Sequence, residues 1–156
     1  MRSVRSRLLW RALIAFVALP GVVAFAIPMY LGMASQGGAA PWVIGLTLVA
    51  VGSALLLWCV REFYVAGRGT LAPWAPPQNL VTTGPYRITR NPMYVGVSFI
   101  LVGWAFYFHS QTLGYYCLAI PVAFHLRVIL AEEPWAVRTF GAAWEEYRSR
   151  VPRWLI

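Results

Sequence analysis

Two short stretches of the chain hold residues able to do chemistry. One contains Tyr86 and Arg87, followed by Arg90-Asn91-Pro92-Met93-Tyr94-Val95-Gly96. The other carries His125, Arg127, Glu132 and Glu133 at the end of a long apolar run. Guanidinium and amide groups hold anions such as carboxylates, and a glutamate can take a proton from a nucleophile. Each residue alone has a plainer role. Arg87 and Arg90 can be membrane-side anchors, Arg127 can snorkel, and Glu132 and Glu133 can sit at the positive end of a helix begun by Pro134. Together they point further, because an arginine and a histidine inside an apolar run are costly unless paired.

The elements that must position these residues are apolar helices. Sixty per cent hydrophobic and 12% charged residues remove the chain from the soluble domains. Four runs long enough to span a bilayer cover about residues 12–34, 41–60, 92–108 and 112–131. The expected fold is therefore an all-α integral membrane protein, one domain over residues 1–156, with four transmembrane helices. The opening also has the pattern of a signal peptide, with Ala24-Phe25-Ala26 as a cleavage site, but its apolar run continues to Leu31, which favours a retained span. Pro20 and Pro28 predict a kink whose freed carbonyls the bundle must satisfy. His109-Ser110-Gln111 is short enough only for a helical hairpin.

Four spans place all thirteen arginines on the side of the termini and of the loop 61–91. By the positive-inside rule both termini are cytoplasmic. The net charge of +8 is thus a topology signal, and no nucleic-acid partner is expected. Residues 134–150 show helical spacing of Val137, Phe140, Trp144 and Tyr147, predicting one amphipathic helix lying on the membrane face. Cys59 and Cys117 lie in apolar runs as small buried thiols. No phosphate-binding glycine loop or metal-ligand spacing is present, so no metal is expected.

The hairpin joins the two stretches. Arg90 lies 20 residues before Ser110 and Glu132 lies 22 after it. At about 1.5 Å per residue both return to one depth at the cytoplasmic boundary. Asn91 as cap and Pro92 at the first helical position predict a helix start there, a place that favours anions. One conflict stands. On a straight helix Arg127 and Glu132 point roughly 140° apart, so they converge only if the helix loosens before Pro134.

Gly84-Pro85-Tyr86-Arg87, Arg90 to Gly96, Glu132-Glu133, Phe140-Gly141, Tyr147 and Val151-Pro152-Arg153 together resemble the isoprenylcysteine carboxyl methyltransferase and phospholipid methyltransferase superfamily. The resemblance covers about residues 61–154 and implies an integral membrane enzyme using S-adenosylmethionine, with no Rossmann fold. Arg90, Asn91, Pro92 and Tyr94 match that family's Arg-His-Pro-x-Tyr motif, Glu132-Glu133 its paired glutamates, and Arg127 an arginine just upstream of them. Asn91 departs from the histidine of the best-known members and cannot titrate, and Trp144 stands where many members have tyrosine. The resemblance implies catalytic roles for Arg90, Arg127 and Glu132: the first holds the cofactor carboxylate or the acceptor, the others orient or deprotonate the acceptor. Cofactor contacts are implied for Tyr86, Arg87, Asn91, Pro92, Tyr94, Gly96 and Glu133.

The expected activity is S-adenosylmethionine-dependent methyl transfer to a lipophilic or membrane-borne acceptor: a phospholipid amine, a prenylcysteine-like carboxylate or a thiol. The expected setting is a bacterial inner (cytoplasmic) membrane, with the active site facing the cytoplasm and membrane lipids as partners. The rival readings are a membrane reductase using a nicotinamide cofactor, since related folds bind one near a similar loop, and a non-catalytic membrane protein or transporter. A transporter would place its ionisable residues near the bilayer midplane, whereas here they gather at one boundary.

Overall fold

The computed structural model describes residues 17–34, 42–69 and 76–155, and every regular element among them is helical. A wide-turn π stretch, Val17–Ala26, leads into helix α1 (Ile27–Met33). Helix α2 is Trp42–Val65, α3 is Pro92–Phe108 and α4 is Gln111–Arg127. A second π stretch, Val128–Glu132, joins α4 to α5 (Glu133–Phe140), and α6 is Ala142–Arg150. The start of the expected first span and the expected termini at residues 1–16 lie outside the described residues.

Two helical segments are long and apolar enough to cross a membrane: Trp42–Val65, with 24 residues, and the continuous run Gln111–Phe140, with 30. Pro20–Met33 and Pro92–Phe108 are shorter apolar helices. At about 1.5 Å per residue, 24 residues reach roughly 36 Å, beyond the roughly 30 Å of a hydrocarbon core. The outer faces agree with such a solvent. Trp42, Ile44, Leu57 and Trp58 of α2 and Tyr115, Leu118, Val122 and Leu126 of α4 are all exposed.

Helices α2 and α3 cross on glycines. A Cβ on Gly52 would lie 2.5 Å from the Gly96 carbonyl oxygen, and one on Gly45 would lie 2.8 Å from that of Gly103. Their backbones therefore touch, as small residues allow in membrane bundles. Above this contact Leu56, Val97, Ile100, Leu101, Trp104 and Leu113 close a core that also takes in Ala24.

The carbonyls freed by Pro28 find donors in the bundle, while those freed by Pro20 lie outside the described residues. Pro28 has no N–H for the carbonyl of Ala24 at i−4, or of Val23 at i−5 in the π register. Trp104 Nε1 donates to the Ala24 oxygen at 2.9 Å, and the Tyr116 hydroxyl donates to that of Val23 at 3.2 Å.

Three boundaries differ from expectation. Helix α2 continues to Val65, past the expected loop start at residue 61. The run from α4 continues through residues 131–134 into α5, because the π stretch absorbs Pro134 without a break. The expected single tail helix over 134–150 is interrupted at Gly141, whose φ of 51° and ψ of −124° no helix accommodates. Glycine adopts that conformation at little steric cost, and α6 thereby turns to lay Trp144 and Tyr147 against Ala136 and Val151.

Candidate active site

The site forms where the polar ends of α2, α3, α4 and the tail meet around a cavity of about 600 Å³. Its first wall is the 3₁₀ turn Gly84–Arg87 and the segment that follows it into α3. Tyr86 is buried there, its ring 5.5 Å from that of Phe63, and its carbonyl accepts from the Tyr147 hydroxyl at 2.7 Å. Burial pushes the Tyr86 phenol well above its ordinary pKa. Pro92 opens α3 as expected, but Asn91 does not cap it with its side chain. Its amide Nδ2 donates instead to the Arg153 carbonyl at 3.0 Å, beside the Thr89 hydroxyl, which donates to the same oxygen at 2.9 Å. The Arg90 N–H adds a bond to the Pro152 carbonyl at 2.9 Å, so residues 152 and 153 strap the start of α3.

The opposite wall is the π stretch. Hydrogen bonding from i to i+5 brings residues five apart onto one face. Arg127 Nε then reaches Glu132 Oε1 at 2.8 Å, which resolves the 140° conflict of a straight helix. The Tyr94 hydroxyl makes a short bond to the same oxygen and accepts from Arg127 Nε at 3.2 Å. Tyr94 is itself held by stacking on Phe124, ring centroids 4.3 Å apart. The second carboxylate oxygen of Glu132 takes no hydrogen bond from the described residues.

Glu133 is occupied on both oxygens. Oε1 accepts from Arg90 Nη1 at 2.9 Å and from Arg153 Nε at 2.7 Å, and Oε2 accepts from Arg153 Nη2 at 2.8 Å. Its hydrogen bonds raise the Arg153 pKa. Burial lowers that of Arg90, against the opposing charge of Glu133. The Arg90 guanidinium carbon also lies 5.5 Å from the centroid of the Trp144 ring. Arg90 Nε and Trp144 Nε1 are buried donors without an acceptor among the described residues.

Of the residues singled out in the sequence, Tyr86, Arg90, Asn91, Arg127, Glu132 and Glu133 line the cavity together. Tyr94 stands directly behind Glu132, and Pro92 is buried at the foot of α3. Gly96 faces Gly52 in the helix contact, away from the cavity. Arg87 is exposed and off the lining. His125 accepts from Trp154 Nε1 at 3.1 Å at the margin.

Sequence reasoning missed three participants. Arg153 was visible only as part of a terminal motif, Tyr147 as a face residue of the tail and part of the resemblance, and Glu62 not at all as a participant. Among the described residues, no three of His, Cys, Asp and Glu are placed to hold a metal.

Among the described residues the protein is all-helical, two of its helices are long and apolar enough to cross a membrane, and paired glutamates and arginines gather at one cavity. The phospholipid methyltransferase family model matches residues 41–143, and the chain belongs to that family. Among curated proteins it is similar to methanethiol S-methyltransferase 2 of Bradyrhizobium diazoefficiens, 34% identical over 62% of this chain and 35% of the relative. It is also similar to the nickel-cobalt-cadmium resistance protein NccN of Alcaligenes xylosoxydans xylosoxydans, 31% identical over 70% of this chain and 45% of the relative. The matched region thus spans less than half the length of either relative. No solved structure matches the chain.

Proposed function

We propose that this protein transfers a methyl group from S-adenosylmethionine to a lipophilic or membrane-borne acceptor at the cytoplasmic face of the membrane. In this reading four helices span the bilayer with both termini cytoplasmic, and α5 and α6 lie at the interface. The observation that carries the reading is the pairing of a fully occupied Glu133 with a half-occupied Glu132 across one cavity, inside a chain of the phospholipid methyltransferase family.

The donor set fits the cofactor. Its carboxylate needs N–H donors, and Arg90 Nε and Trp144 Nε1 are buried donors lacking an acceptor among the described residues. Arg90 and Trp144 would hold that end, with Tyr86 and the apolar wall of Val81 and Ala136 enclosing the remainder. When bound, S-adenosylmethionine supplies an electrophilic methyl on a sulfonium, a cation that aromatic faces attract.

The chain's own residues then do the following. Arg127 and the Tyr94 hydroxyl fix one oxygen of Glu132, so the other points as a proton acceptor toward an incoming nucleophile. A protic acceptor, amine or thiol, gives its proton to that oxygen as its lone pair attacks; a carboxylate acceptor would need no base. Alignment of nucleophile and methyl between the two walls supplies the larger part of the rate.

Calorimetric titration of the purified protein with S-adenosylhomocysteine, and separately with NADPH, tests the reading. Saturable binding of the former, lost on Arg90→Ala, is the expected result. Binding of NADPH alone would replace the proposal with the reductase reading.

A further inference from the structure

The structure assigns a third, remote carboxylate to the site: Glu62 is a positioning residue that clamps the Tyr86–Asn91 wall to the end of α2. The assignment rests on the methyltransferase reading only for what the wall binds. Glu62 is 7% exposed although it lies near the end of an apolar helix. Its Oε2 accepts from the Thr83 hydroxyl at 2.6 Å, and its Oε1 accepts from Trp58 Nε1 at 3.3 Å and Arg61 Nη1 at 2.9 Å. Both oxygens are therefore spoken for, and Glu62 does not line the cavity. A buried charge with three donors around it is fixed in place.

The turn it holds is shaped to receive it. Gly84 has φ of 58°, and a Cβ there would lie 2.9 Å from Trp58 Nε1 and 3.1 Å from Glu62 Cδ. The turn thus closes directly on the carboxylate. Thr83 passes the constraint on, because its carbonyl accepts from the Tyr86 N–H at 3.2 Å. Tyr86 is held from the other side by Tyr147, and four residues later the chain delivers Arg90. The wall therefore has three fasteners: the Pro152-Arg153 strap at Arg90 and Asn91, Tyr147 on the Tyr86 carbonyl, and Glu62 at Thr83. Losing the Glu62–Thr83 bond should leave the bundle intact and let the turn move, which weakens binding at Arg90 and Tyr86.

The test uses full-length Thr83→Val, Thr83→Ser and Glu62→Gln. Thr83→Val removes the hydroxyl with little change in shape, and Thr83→Ser keeps it. Binding of S-adenosylhomocysteine should weaken about tenfold in Thr83→Val and Glu62→Gln, the scale of one charge-assisted hydrogen bond, and stay near wild type in Thr83→Ser. Hydrogen exchange of the amides between Gly84 and Asn91 should quicken in Thr83→Val alone of the two threonine variants, with the unfolding midpoint unchanged. Wild-type binding by Thr83→Val overturns the clamp, as does a drop in midpoint with faster exchange throughout the chain. If wild type itself does not bind S-adenosylhomocysteine, the methyltransferase reading fails and the exchange result decides the clamp. Unchanged protection in Thr83→Val then refutes it, and faster local exchange upholds it.

Discussion

Neighbours in the chain, Glu132 and Glu133 stand in opposite surroundings. The side chain of Glu133 is 16% exposed and locked by Arg90 and Arg153, whereas that of Glu132 is 37% exposed and, among the described residues, engaged on one oxygen. The difference arises from the backbone. Glu132 closes the π stretch and turns back toward Arg127 and Tyr94, while Glu133 opens α5 and faces the strapped start of α3. One register change thus gives two identical side chains different work. A carboxylate engaged on both oxygens fastens elements together, and one with an open oxygen beside a cavity can accept a proton. In the proposed reaction the paired glutamates act as a fastener beside a proton acceptor, not as a dyad.

The sharpest way to break this comparison is to remove the charge of each glutamate in turn. Glu132→Gln should cut methyl transfer to a protic acceptor by ~10²–10⁴-fold, the range of a general base. Its unfolding midpoint should hardly move, because a half-exposed pair contributes only about 0–1 kcal/mol. Turnover within a few-fold of wild type, measured with labelled methyl donor, would remove Glu132 from the chemistry. Glu133→Gln should do the reverse. It removes the charge that Arg90 and Arg153 share and sets an NH2 donor against a guanidinium, at a cost of about 2–3 kcal/mol in detergent unfolding. That is below the ~3–5 of a fully buried pair because Arg153 is a third exposed. Equal stability losses in the two variants would erase the distinction.

Much of this arrangement was legible in the sequence because it follows from hydropathy and spacing. The apolar runs located the helices, and the hairpin at Ser110, which caps α4 by accepting the Leu113 N–H, brought Arg90 and Glu132 to one depth. Even the loosening before Pro134 was foreseeable, as the condition for Arg127 to meet Glu132. What could not be read were contacts between elements far apart in sequence. Nothing local says that Arg153 reaches Glu133, or that Glu62 waits for Thr83. Gly96 shows the same limit: its place in a motif suggested a ligand, and its close contact with Gly52 of α2 is visible only in the fold. The break at Gly141 was hidden by a hydrophobic pattern that continues on both sides of it.

Gly96→Ala sharpens the comparison by asking which side of it the motif's glycine stands on. An added methyl would meet the Gly52 carbonyl oxygen at 3.0 Å, backbone that cannot step aside. Overpacking of this kind costs about 1–3 kcal/mol, so the unfolding midpoint should fall while affinity for S-adenosylhomocysteine holds. Gly114→Ala is the control: nothing lies within 4 Å of the new methyl, and the helix should gain about 0.5–1 kcal/mol. Weakened binding with unchanged stability in Gly96→Ala would return that glycine to the cofactor.

The smallest expected effect concerns Asn91, the residue that departs from the family's histidine. Its amide donates to the Arg153 carbonyl, so it belongs with Glu133 among the fasteners and carries no proton in the reaction. Asn91→Ala should therefore lose about 1 kcal/mol of stability, the net value of one neutral hydrogen bond, with a proportionate loosening of Arg90. Asn91→His is the more telling variant. An imidazole N–H can still donate to that carbonyl, so turnover should stay within about threefold of wild type, a difference worth less than 1 kcal/mol. The pH–rate profile should also gain no new limb near neutrality, where a histidine would titrate. A new limb there, with higher turnover, would mean that position 91 touches the reacting proton and that Glu132 is only one of two groups able to take it.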